Sequence, residues 1–127
     1  VSAGTAKHTH HAIDYIEFTA PDLLIAKVFY QTVFGWRFND YGPDYCGIQH
    51  PTQPGLEVGG FARNDEAARA SNPLVILYSD DLEATLDKVT RAGGQIAQPI
   101  FEFPGGRRFH FTDPSGNLLG VWTPNSG

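Results

Sequence analysis

The sequence predicts an α+β fold: two βαβββ modules whose strands form a cup-shaped mixed sheet with the helices outside. Three observations lead there. A pattern of strand, Asp-capped helix, Gly stop and three strands occurs twice along the 127 residues. Its internal spacing repeats, because Gly35 lies 13 residues after Asp22 and Gly93 lies 13 residues after Asp80. A polar, Ala-rich stretch at 64–72 separates the copies. Each sheet would have one face covered by its own helix, and joining two such sheets edge to edge protects strand edges and leaves a cup.

The first module opens with a strand at 13–19, where Ile13, Tyr15, Glu17 and Thr19 alternate with Asp14, Ile16 and Phe18. Asp22, after Pro21, is placed to accept the free N–H groups of a helix over 23–34, and Gly35 supplies the left-handed stop. That helix is apolar on most sides through Leu24, Ile25, Val28, Phe29 and Val33, so it is expected to meet the sheet on one side and a neighbour or loop on another. Strands at 36–41, 45–49 and 57–62 follow, separated by Gly42-Pro43-Asp44 and the loop 51–55. Gly59-Gly60 suggests a bulge or close backbone approach, Cys46 reads as core, and His50 as an exposed loop residue.

The second module begins with a strand at 74–79. Asp80 and Glu83 have the spacing of a capping box, the helix face is Leu82, Leu86 and Val89, and Gly93-Gly94 ends it. Strands at 95–101, 107–112 and 118–123 complete the copy. Asp113-Pro114-Ser115-Gly116 has the preferred residues of a type I turn, and Phe109 and Phe111 alternate with Arg108, His110 and Thr112. Residues 103–106, Phe-Pro-Gly-Gly, suggest a flexible turn that could act as a lid. The domain limits expected are a flexible arm or cloning remnant at 1–12 and one folded domain at 13–123, made of modules 13–63 and 74–123 joined by linker 64–73. The histidines of the arm, His8, His10 and His11, fit either a metal-binding tract or a frayed end.

Composition narrows the functions. With 41% hydrophobic and 13% aromatic residues the chain is globular, and its net charge of −5 with scattered Lys and Arg argues against nucleic acid. The single cysteine excludes an intrachain disulfide and fits a reducing compartment, and no apolar run reaches a membrane span. The expectation is a cytoplasmic protein with no membrane or nucleic-acid partner.

Phe29-Tyr30, Val33-Phe34-Gly35-Trp36, Ala92-Gly93-Gly94 and residues 111–117 together resemble the vicinal oxygen chelate superfamily, which includes lactoylglutathione lyase, bleomycin-resistance proteins, fosfomycin-resistance transferases and extradiol dioxygenases. The resemblance covers about residues 13–122 and implies paired βαβββ modules, usually in a homodimer. It also implies four metal-ligand positions in metal-using members. They fall here on Tyr15, Leu74, Gly120 and one residue within 56–61, where Glu57 is the acid. Leu74 and Gly120 have no donor atom, so the expected metal and cofactor are none.

Within that fold Tyr15, Glu17, Leu74, Ile76, Tyr78, Arg108, His110, Gly120 and Trp122 face the cup. Tyr15, Tyr78, Arg108 and Trp122 are candidate ligand-binding residues, and Glu17 with His110 is a candidate general base and acid. A structural Glu–Arg or Glu–His pair fits the same residues. Two function classes remain. One is a protein that binds a small organic molecule, cationic or planar, for sequestration or resistance. The other is a metal-independent isomerase or lyase, with metal-dependent lyase or dioxygenase chemistry behind both.

Overall fold

The structure, a computed structural model, describes residues 8–65 and 73–125. The elements are β1 (Ile13–Ala20), α1 (Leu23–Phe34), β2 (Phe38–Asp40), β3 (Tyr45–Gln49) and β4 (Glu57–Arg63), then β5 (Leu74–Tyr78), α2 (Leu82–Arg91), β6 (Gln95–Phe103), β7 (Gly106–Thr112) and β8 (Leu118–Pro124). They form two compact units, the first Tyr15–Pro73 and the second Leu74–Gly127 together with Val1–Asp14. The first two residues of β1 therefore group with the second unit.

Both units have one topology. The first has strand order β2-β3-β4-β1 and the second β6-β7-β8-β5. In each, the strand before the helix pairs in parallel with the last strand, and the other pairs are antiparallel. A parallel pair needs a long crossover, which the helix and two intervening strands provide.

The local chemistry explains the element ends. Asp22 accepts the Ile25 N–H at 3.1 Å. At the other end of α1, Gly35 sits at φ 72 and its N–H donates to the Gln31 carbonyl. The second helix departs from expectation by one residue: Asp81, not Asp80, is its cap and accepts the Ala84 N–H at 3.1 Å. The Ser79 hydroxyl accepts the Asp81 N–H at 3.0 Å and fixes the entry, while the Asp80 N–H donates to His10 Nδ1 at 2.8 Å. Glu83 is engaged by the Arg107 guanidinium of β7 rather than closing a capping box. The β7–β8 turn forms as expected, with Gly116 at φ 92 and Asp113 Oδ1 accepting the N–H groups of Ser115 and Asn117, each at 2.9 Å.

Each core lies between a helix and one sheet face. Phe18, Ala20, Cys46, Ile48 and Phe61 pack with Leu23, Ala26 and Tyr30 of α1. Phe109, Phe111 and Val121 pack with Leu82, Leu86 and Val89 of α2. Burial pushes the Cys46 thiol pKa up, in keeping with a core residue.

Three other expectations change. Residues 103–106 are not a lid, because β6 extends to Phe103 and pairs it with Gly106 across a two-residue turn. His50 is half-buried, and its ring accepts the N–H groups of Thr52 and Gln53 at 3.1 Å. The described part of the arm, residues 8–12, is anchored: Tyr78 accepts the His11 N–H and donates its own to the Ala12 carbonyl. Residues 1–7 and most of the linker, 66–72, lie outside the described residues. No helix among the described residues is long and apolar enough to cross a membrane.

Candidate functional site

In the first unit the sheet face opposite α1 is polar and opens around two glycines. Asn39, Gly47, Gly60 and Glu17 are successive cross-strand neighbours on β2, β3, β4 and β1. The space that two side chains would occupy is taken by functional groups. A Cβ on Gly47 would stand 2.1 Å from Glu57 Oε2, and one on Gly60 would stand 2.2 Å from the Tyr45 hydroxyl and 2.6 Å from that of Tyr15.

These groups form two hydrogen-bonded clusters, one around Glu57 and one around Tyr45. Glu57 Oε2 accepts from Asn39 Nδ2 at 2.8 Å and from the Tyr41 hydroxyl. Gln49 Nε2 donates to Asn39 Oδ1 at 2.9 Å and so orients the amide. The Tyr15 and Tyr45 hydroxyls share a short hydrogen bond, and Tyr45 also donates to Glu17 Oε2 at 3.4 Å. Burial pushes both phenol pKa values above their ordinary range, and the nearby Glu57 and Glu17 charges act in the same direction. Tyr41 is raised by its hydrogen bond to Glu57 and by burial. All three phenols therefore remain donors at neutral pH, facing two carboxyl groups.

In the second unit the corresponding face is aromatic and basic. Phe101, Arg108, Trp122 and Tyr78 are cross-strand neighbours on β6, β7, β8 and β5, and Gln98, His110, Gly120 and Ile76 form the adjacent row. The Arg108 guanidinium carbon lies 5.4 Å from the Phe101 ring centroid and 5.3 Å from that of Phe103, within cation–π reach. His110 meets Phe101 edge to face at 5.5 Å and covers Gly120, where a Cβ would stand 3.2 Å from its Cδ2. Tyr78 and Trp122 meet at 5.7 Å. His8 stacks on Tyr78 at 4.9 Å, and its Nδ1 lies 2.8 Å from Asp14 Oδ1. Asp14 Oδ2 also accepts the Trp122 indole N–H at 2.9 Å.

Sequence comparison assigns the family. The model of the Glyoxalase/Bleomycin resistance protein/Dioxygenase superfamily matches residues 12–121. The chain belongs to that superfamily. Among its relatives, CFP32 of Mycobacterium bovis, a protein given a glyoxylase name, is 31% identical over 118 residues, covering 88% of this chain and 45% of its own. The chain thus spans about half the length of that relative. A glyoxylase-like domain-containing protein of Didymella fabae is 33% identical over 90% of this chain and 94% of its own. The Mn(II)-bound glyoxalase of Novosphingobium aromaticivorans superposes with a TM-score of 0.70 at 22% identity, over 90% of this chain and 39% of that one, a likeness of fold.

The superfamily's metal-ligand positions, tested on the chemistry of the groups present, do not fit a metal. Leu74 and Gly120 have no side-chain donor. Tyr15 shares its hydroxyl with Tyr45 and is held protonated by burial, and the Glu57 carboxyl is engaged by Asn39 and Tyr41. Among the described residues there is no group of three or more His, Cys, Asp or Glu that could hold a metal.

The sequence-predicted residues sort by unit. Tyr15 and Glu17 come together at Tyr45, Arg108 neighbours Trp122, and Tyr78 meets Trp122. Glu17 and His110 fall in different units. Asn39, Tyr41, Tyr45 and Gln49 were missed as members of these clusters, although Tyr45 and Gln49 alternate with Cys46 and Ile48 along β3, a legible signal. Asp14 was also missed, because simple alternation groups it with Ile16 and Phe18 rather than with Trp122.

Proposed function

We propose that the chain binds a small organic molecule carrying a cation or several hydrogen-bond donors. The ligand residues of the first unit are Tyr15, Glu17, Tyr41, Tyr45 and Glu57; the second unit presents Tyr78, Arg108 and Trp122 as a ligand face of its own. The observation that supports this most is the pair Gly47 and Gly60, which leave room for a carboxyl group and two phenols on a sheet face where side chains would otherwise stand. Carboxyl groups beside aromatic rings suit an amine-bearing or planar cationic ligand, since the charge gains both an ionic partner and π faces. The function is sequestration or resistance, without a metal or other cofactor. In a thermal-shift screen of aromatic amines and amino sugars, hits on the native protein should lose their effect in Glu17→Gln and Glu57→Gln. Equal shifts in all three proteins would remove the assignment.

A second reading, a metal-independent isomerase or lyase, draws on the Tyr45 hydroxyl directed at Glu17 Oε2, a partner that orients a general base. It predicts deuterium uptake at an acidic C–H of a bound ligand in D2O. That uptake should disappear in Glu17→Gln. The proposal further takes the protein to be a cytoplasmic homodimer, and sedimentation at micromolar concentration tests the assembly.

A further inference from the structure

The two helices differ in what they leave uncovered. On α1 the residues that meet the sheet are Leu23, Ala26 and Tyr30. The opposite side presents Leu24, Ile25, Val28, Phe29 and Val33, each 52–68% exposed, which line a shallow apolar groove with Thr32 as its one polar member. A helix that is apolar on nearly every side needs burial on both sides. On α2 the side away from the core is Glu83, Asp87, Lys88 and Arg91, as expected of a face that meets water.

We infer that the outward face of α1 is where two copies of this chain meet, helix against helix across a twofold axis. This rests on the homodimer reading and names its surface. Five half-exposed large side chains present on the order of 500 Å² of apolar area, at the upper end of what a soluble monomer leaves uncovered and most of the ~800 Å² per partner of a standard interface. Charge selects the occupant. The stripe holds no ionisable group, so identical copies meet without like-charge repulsion. Lys27, the one charged residue of the helix, is tied to Asp40 at 2.6 Å. An anionic lipid surface would call for several Lys or Arg flanking the apolar stripe, and the chain as a whole carries −5.

The test is sedimentation velocity of the full chain at micromolar concentration. The native protein is expected as a dimer, and Val28→Glu as a folded monomer with association weakened at least ~100-fold, since it places a charge at the interface centre. Ala84→Glu, on the exposed side of α2, should leave the dimer intact. A native monomer would overturn both the homodimer reading and this surface, whereas a native dimer untouched by Val28→Glu would overturn the surface alone. Should Val28→Glu fail to fold, a nitroxide on Val28→Cys decides. Dipolar broadening between copies is expected there and not on Ala84→Cys, and its absence at position 28 counts against the surface. Cys46 is buried and stays unlabelled.

Discussion

The two units share a strand order and differ in nearly everything those strands present. On the first, the face away from the helix is built of carboxyl groups and phenols around Gly47 and Gly60, and the helix exposes an apolar stripe. On the second, the same face carries Arg108, His110 and aromatic rings, and the helix exposes charge. Topology therefore depends on features both halves keep: a capping Asp, a Gly stop, and alternation that buries one sheet face. Function and assembly depend on the residues free to diverge.

The largest expected effect separates the last strands of the two units. In Gly59→Ala the new Cβ would stand 2.2 Å from the Ile16 carbonyl oxygen, so β1 and β4 must move apart. A loss of about 3 kcal/mol in urea unfolding is expected. Gly120→Ala meets the His110 ring edge at 3.2 Å and otherwise makes ordinary contacts with Ile76 at 3.5 Å and the Phe109 carbonyl oxygen at 3.6 Å, and its loss should stay near ~1 kcal/mol. Equal losses would mean that the two strands are not packed differently.

Alkaline pH should distinguish the phenol-lined unit next. Tyr15 and Tyr45 have folded pKa values raised above the unfolded value of about 10. Their stabilising contribution is therefore complete below about pH 10 and declines above it, by up to about 1.4 kcal/mol per pH unit for each phenol. Denaturation midpoints taken across that range should fall more steeply in the native protein than in the Tyr15→Phe/Tyr45→Phe variant. Parallel curves would remove the buried phenol pair.

The helix caps come third. Asp22→Ala and Asp81→Ala should each cost about 1 kcal/mol, with Asp80→Ala well below both; the reverse order for the two neighbours would restore Asp80 as the cap. The smallest effect belongs to the β7–β8 turn. Hydrogen bonds from Asn117 and the turn N–H groups lower the Asp113 pKa, so its contribution is present above the unfolded carboxyl pKa and lost as pH falls through the folded one. Asp113→Ala should lower Tm at neutral pH and approach the native Tm once the pH falls below the lowered folded pKa.

Much of this was legible in local pattern. The bounds of α1, the Gly35 stop, the Asp113–Gly116 turn and the helix-facing rows of both sheets follow from short-range rules. The misses share a cause. Asp80 and Asp81 are both good caps, and the choice between them came from Ser79 and His10. The arm looked like a loose end, because its contacts with Tyr78, Asp80 and Thr85 involve partners far along the chain.

The amino-acid sequence by itself determined the duplicated βαβββ pattern, the family, and which face of each strand is apolar, because caps, turns and two-residue alternation act between near neighbours. Only the tertiary structure decided that Glu57 lies over Gly47, that two phenols fill the space above Gly60, and that the apolar back of α1 finds no cover within the described residues. Those outcomes depend on strand register and side-chain reach across a sheet, which bring together residues separated along the chain by distances that no local pattern encodes.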